Sequence, residues 1–181
     1  MWRYLSPVML ATNLLLVVAL CAVAAPMMPR KRELPHDVRS LADLKQINLV
    51  VPDMPAQLTQ AGINQSHIEE VWRSRLTRAG IELATGPDVP QLKLRVEFVE
   101  DPDVPDAAGM IGFITLVQAV TITRLDEPLV LPSYTEYAVG IDAKKNIRKG
   151  FGPAIDGMVD GFIRKVRAAT EDRATRKRVG G

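Results

Sequence analysis

The chain has 181 residues, 47% hydrophobic and 24% charged, which excludes global disorder and suits one domain with a real core. A formal charge of +2 is too small to point to nucleic acid by itself. The single cysteine, Cys21, lies in the N-terminal apolar run, so disulfides, cysteine-based metal sites and cysteine nucleophiles are excluded from the rest of the chain.

Met1 to Pro29 reads as a targeting segment to be kept out of the fold. Arg3 supplies the positive start, Tyr4 to Pro29 carry no charge, and Leu14 to Ala25 are unbroken apolar residues. Ala22-Val23-Ala24 has the small-x-small pattern of a signal-peptidase site, which makes 1–24 a signal peptide cleaved after Ala24. The span is also long enough to remain as an uncleaved membrane anchor through residues 5–29. Arg30, Lys31 and Arg32 outnumber Arg3, so an uncleaved helix could leave the domain in the cytoplasm. Lipidation of Cys21 is disfavoured by Leu20, which precedes it where a small residue is required. Residues 25–37, rich in proline and charge, read as a linker.

The domain proper is expected over 38–169. Its first strand is Lys45 to Val51, with Ile47, Leu49 and Val51 facing a core. A helix follows, capped by Asn64, with Ile63 and Ile68 as a hydrophobic staple; Ser66 with Glu69 offers a rival capping box. Its apolar stripe is Ile68, Val71, Trp72, Leu76 and Ala79, and Gly80 supplies the left-handed residue that ends it. Strands are expected at Ile81 to Ala84, Gln91 to Val99, Phe113 to Arg124, and Ser133 to Ile141, where Thr135, Tyr137, Val139 and Ile141 share a face. Gly152-Pro153 opens a last helix whose Ile155, Met158, Val159, Phe162, Ile163 and Val166 follow the 3.6-residue period. The expected fold is an α+β two-layer sandwich in the order β-α-β-β-β-β-α. A mainly antiparallel sheet of four or five strands carries two helices on one face.

No catalytic constellation or cofactor motif stands out. His36 and His67 lack partners at metal-ligand spacing, and no serine sits in a nucleophile elbow. Glu100, Asp101, Asp103 and Asp106 resemble a calcium loop only superficially, and a stiff, solvated turn explains them better. Gly150-Phe151-Gly152 lacks the lysine of a nucleotide loop and reads as a strand-to-helix connection. Gly157 and Gly161, one turn apart, should let the last helix lie close to the sheet. Arg164 to Arg178 hold seven basic and two acidic residues, and 170–181 reads as a frayed basic tail. In it Arg173, Arg176, Lys177 and Arg178 are candidates for touching an anionic envelope component; without aromatic residues for stacking, nucleic acid is disfavoured.

The helix running into Leu76-Thr77-Arg78-Ala79-Gly80-Ile81, Leu92 to Val96, Gln118-Ala119-Val120 and Asp160-Gly161-Phe162-Ile163 together resemble small exported bacterial proteins with a helix-"LRxAGI" segment. Tyr134-Thr135 stands where a tryptophan is expected. The resemblance implies no activity, cofactor or catalytic residue. More distantly, the element order is similar to small envelope lipoproteins that assist lipid or lipopolysaccharide transport, an analogy of fold alone. The expectation is a non-enzymatic envelope module that binds a protein or an envelope polymer. Its alternatives are a carrier of lipid or a small molecule, and an enzyme with a cryptic carboxylate site.

Overall fold

A computed structural model describes residues 33–122, 124 and 126–179. The leader expected at 1–24, with Ala22 and Ala24, and the membrane span expected in its uncleaved alternative at 5–29 lie outside the described residues. The elements are α1 (His36–Arg39), β1 (Gln46–Val50), α2 (Ala56–Gln60), α3 (Gln65–Arg78), β2 (Glu82–Leu83), β3 (Gln91–Glu100), β4 (Ala107–Ile122), β5 (Glu127–Ala143), a 3-10 turn (Lys144–Asn146) and α4 (Ile147–Val179). His36 and Asp37, expected in the linker, therefore begin a helical turn, and α2 is an element the periodicity did not announce.

The five strands form one sheet in the order β2-β1-β3-β4-β5. It is mixed, which corrects the mainly antiparallel expectation. β1 runs parallel to both β2 and β3, whereas β3-β4 and β4-β5 are antiparallel. The reason is topological. A strand, a crossover helix and a next strand on the same sheet must run in the same direction, and β1-α3-β2 is such a unit.

One cluster of buried side chains lies between the sheet's inner face and helices α3 and α4. Leu92 and Leu94 of β3, Met110, Ile114 and Leu116 of β4, and Tyr134 of β5 line that face. Their even numbering follows from the two-residue period of a strand and from registers that pair Leu94 with Ile114 and Ile114 with Glu136. From above come Ile68, Trp72 and Leu76 of α3, and Phe151, Ile155, Val159, Phe162 and Val166 of α4. The entry to α3 is the expected one: Asn64 accepts the His67 backbone N–H at 2.9 Å, with Ile63 and Ile68 buried beside it. Gly80 leaves the helix at φ 81°.

Two glycines on the inner face make room for α4. A methyl on Gly112 would stand 3.0 Å from the Met158 sulfur, and one on Gly140 would stand 3.1 Å from the Phe151 ring. Of the G-x-x-x-G pair, only Gly161 serves close approach, since its missing methyl would lie 3.3 Å from the Glu136 carboxylate. A methyl on Gly157 would meet nothing within 4 Å.

Helix α4 departs from expectation at both ends. It starts at Ile147, so Gly150-Phe151-Gly152 lies inside it and is not a connection, and Pro153 is internal. Ile147 and Phe151 extend the buried stripe upstream by two turns, and their burial outweighs the poor helix propensity of the two glycines and the proline. At the other end the helix continues to Val179, so residues 170–179 of the expected tail are helical. Ala169 is buried, the Thr170 hydroxyl accepts the Asp43 backbone N–H at 3.1 Å, and Arg173 pairs with Asp43 at 2.8 Å.

Candidate functional site

Strand β5 is an edge strand of 17 residues, bonded to β4 on one side. Its outward-facing row is Thr135, Tyr137, Val139 and Ile141, the residues expected to share a face, and that face is turned to solvent. Tyr137 is 69% exposed, Val139 62% and Ile141 80%. Across the strands Tyr137 stands beside Phe113, Val139 beside Ile111, and Ile141 beside Gly109, whose β3 neighbour is Val99. The result is an apolar band across three strands, with Phe113 and Ile111 half-buried and Val99 exposed. Its polar margin is on β3, where Arg95 pairs with Glu97 and lies 6.0 Å from the centre of the Phe113 ring. An isolated exposed apolar residue is ordinary; a contiguous band of this kind is a candidate interaction surface.

The free edge of β5 is not uniform along its length. A register irregularity at Leu116/Val117 separates the part over the core from a hairpin arm in which Val117 to Ile122 pair with Glu127 to Pro132. No residue of this arm is buried. The strand expected from Ser133 begins earlier, at Glu127, and takes in Pro128 and Pro132. Both prolines are tolerated because β5 is an edge strand, and they remove donors that a further strand would need. From Ser133 to Ala143 the edge has no proline. A tethering contact is present at its start, where the Ser40 hydroxyl donates to the Ser133 carbonyl at 3.2 Å.

Between sheet and α4 sits a polar cluster that the sequence did not announce. The Tyr134 hydroxyl donates to Glu136 Oε2 at 2.5 Å, and Lys165 Nζ lies 3.0 Å from both the Tyr134 hydroxyl and Glu136 Oε1. Burial, followed by the Glu136 carboxylate, pushes the Tyr134 phenol well above the ordinary tyrosine value. A phenol so held keeps its proton, so the cluster serves as a satisfied polar bridge between the layers.

The four basic candidates lie on the last turns of α4. At about 100° per residue along a helix, Arg173, Arg176 and Lys177 fall within one arc of about 100°, and Arg178 lies about 100° beyond it. Arg173 is committed to Asp43, Arg176 pairs with Asp172 at 2.8 Å, and Lys177 and Arg178 are exposed. In the last turn they complement the carbonyl end of the helix dipole. Glu100 is held below the ordinary carboxylate range by its hydrogen bond with Lys144, and Asp101 accepts the Asp103 backbone N–H at 2.9 Å, a turn that uses its own acidic groups. Among the described residues no group of three His, Cys, Asp or Glu side chains could hold a metal. No described helix is long and apolar enough to cross a membrane.

Two hollows flank α4, both open to solvent. One, of about 360 Å³, is lined by Asn64, His67, Arg148 and Asp156 among others. The other, of about 450 Å³, lies between α3 and α4, where Arg75 donates to Asp160 Oδ2 at 2.7 Å and to the Asp156 carbonyl at 2.6 Å.

No family model and no curated protein matches the chain. Among solved structures the chain is similar to a minor lipoprotein of Acinetobacter baumannii, with 14% identity and a TM-score of 0.41 over 70% of this chain and 93% of that one. It is also similar to rare lipoprotein B of Shewanella oneidensis, with 13% identity and a TM-score of 0.35 over 74% of this chain and 98% of that one. At these scores the likeness carries no inference about function.

Proposed function

We propose that the protein is a non-enzymatic module of the bacterial cell envelope, akin to the small exported proteins with a helix-"LRxAGI" segment, that binds a partner protein through β5. The partner contributes an extended segment that lies along the free edge from Ser133 to Ala143 and covers the apolar band beside it. The observation that carries this reading is the exposed row Tyr137, Val139 and Ile141 on an edge strand whose outer face, among the described residues, has no layer over it. Strand addition of this kind takes its affinity from main-chain hydrogen bonds and its specificity from alternate side chains. Delivery to the envelope is supported by the uncharged run behind Arg3 and the Ala22-Val23-Ala24 pattern, and N-terminal sequencing of the mature protein checks it.

The test places a photoreactive phenylalanine analogue at Tyr137 in the full chain, expressed in a bacterium, with Arg73 on the exposed side of α3 as control. A discrete adduct from position 137, absent from position 73 and lost when Val139 and Ile141 are both changed to lysine, supports the reading. Adducts only between copies of the chain would replace the partner by a second copy. No adduct at all sinks it.

A further inference from the structure

We infer that the groove between α3 and α4 is a binding site for a phosphate-bearing group, separate from the β5 surface. Its walls carry Arg75 and Arg78 from α3 and Arg164 and Arg167 from α4, against one carboxylate, Asp160. On each helix the two arginines are three residues apart, the spacing that puts side chains on one face. The groove therefore carries an excess of three positive charges in a chain whose formal charge is only +2.

The four arginines are not equivalent. Arg75 is engaged by Asp160 and the Asp156 carbonyl, and Arg78 is oriented by Ser74, whose carbonyl and hydroxyl accept from it at 3.3 and 3.1 Å. Both also sit in the last turn of α3, where a cation stabilises the helix end. That explanation fails for Arg164 and Arg167. They lie in the middle of α4, both exposed, and neither pairs with the carboxylate one turn along its own helix, Asp160 or Glu171. Two uncommitted guanidinium groups therefore face a pair that is already held in place. Planar forks of this kind match the oxygens of phosphate, and a preoriented pair loses little freedom on binding. The hollow measures about 450 Å³, and Ile163 and Ala79 add apolar surface to its lining, so it has room for the carbon skeleton esterified to the phosphate. An anionic phospholipid headgroup and a soluble phosphate compound share this chemistry.

The experiment uses the full chain in a neutral detergent, titrated with inorganic pyrophosphate by calorimetry, and flotation on phosphatidylglycerol vesicles compared with phosphatidylcholine vesicles. The comparison of lipids cancels any insertion of the N-terminal apolar run. Two double variants accompany it: Arg164→Glu with Arg167→Glu in the groove, and Arg173→Glu with Lys177→Glu on the far end of α4 as control. The expected result is saturable pyrophosphate binding or a preference for phosphatidylglycerol. The groove variant should weaken it at least about tenfold, as the loss of charge-assisted hydrogen bonds requires, and the control variant should leave it unchanged. Pyrophosphate binding without lipid preference assigns the site to a soluble phosphate compound; the converse assigns it to a headgroup. Absence of both overturns the inference. So does an equal loss in the control variant, or polyglutamate binding as tight as pyrophosphate.

Discussion

The two faces of the β3-β4-β5 sheet are made by the same strands with the same alternation, and they have opposite fates. On the inner face Met110, Ile114 and Leu116 are fully buried under α4 and its neighbours. On the outer face Tyr137, Val139 and Ile141 are 62–80% exposed, although their chemistry is just as apolar. Apolar character alone therefore does not say which side of a strand is core. The side with helices over it becomes core, and the other side keeps a hydrophobic surface exposed to solvent.

The sharpest way to break this comparison is to truncate the cover of the inner face. Phe162→Ala removes a fully buried ring that packs at a tilt against Tyr134 with centroids 5.9 Å apart, and it should cost about 3–5 kcal/mol in urea unfolding. A loss below about 1 kcal/mol would mean that α4 is not the lid of the core. Overfilling the same layer is the converse. Gly140→Val puts a branched side chain where even a methyl would meet the Phe151 ring at 3.1 Å, and a loss of about 1–3 kcal/mol is expected.

The polar bridge gives a pH-dependent signature of the inner face. Because the Tyr134 phenol holds its proton more tightly in the folded state than in the unfolded chain, its contribution is whole below about pH 10 and declines as the pH rises beyond that. Comparing urea midpoints at about pH 9 and about pH 11 for wild type and Tyr134→Phe checks it: the variant should lose part of the alkaline decline. An unchanged slope would place the phenol in solvent-like surroundings.

The smallest effect on stability belongs to the outer face. Changing Val139 and Ile141 to threonine together should shift unfolding by no more than about 1 kcal/mol, because each side chain is already largely hydrated. The same pair should lower retention on a hydrophobic-interaction column. A large destabilisation would show that the band is part of the fold and not a surface held in reserve.

How much of this was legible depends on range. The Asn64 cap, the Ile63 and Ile68 staple, the Trp72 stripe and the Leu92-to-Phe98 alternation are signals within one or two turns of chain, and the structure carries each of them. The start of β5 was hidden by Pro128 and Pro132, whose tolerance depends on the strand lying at an edge. The first turns of α4 were hidden by Gly150, Gly152 and Pro153, which local propensity reads as a break and the burial of Phe151 overrides. For the candidate sites the loss was greater. The basic run at the end of α4 was conspicuous in sequence, yet Arg173 and Arg176 are taken up by Asp43 and Asp172, while Arg75, Arg78, Arg164 and Arg167 lie far apart in sequence and face one groove.

By itself the sequence determined the period of each element, the residues that could be buried and the caps that start and stop α3, since these follow from neighbours along the chain. Only the tertiary structure decided that β1 runs parallel to its neighbours, which face of β5 is left bare, and which arginines meet. Those outcomes depend on contacts between segments dozens of residues apart, and no local pattern encodes which of two equally apolar surfaces another layer will cover.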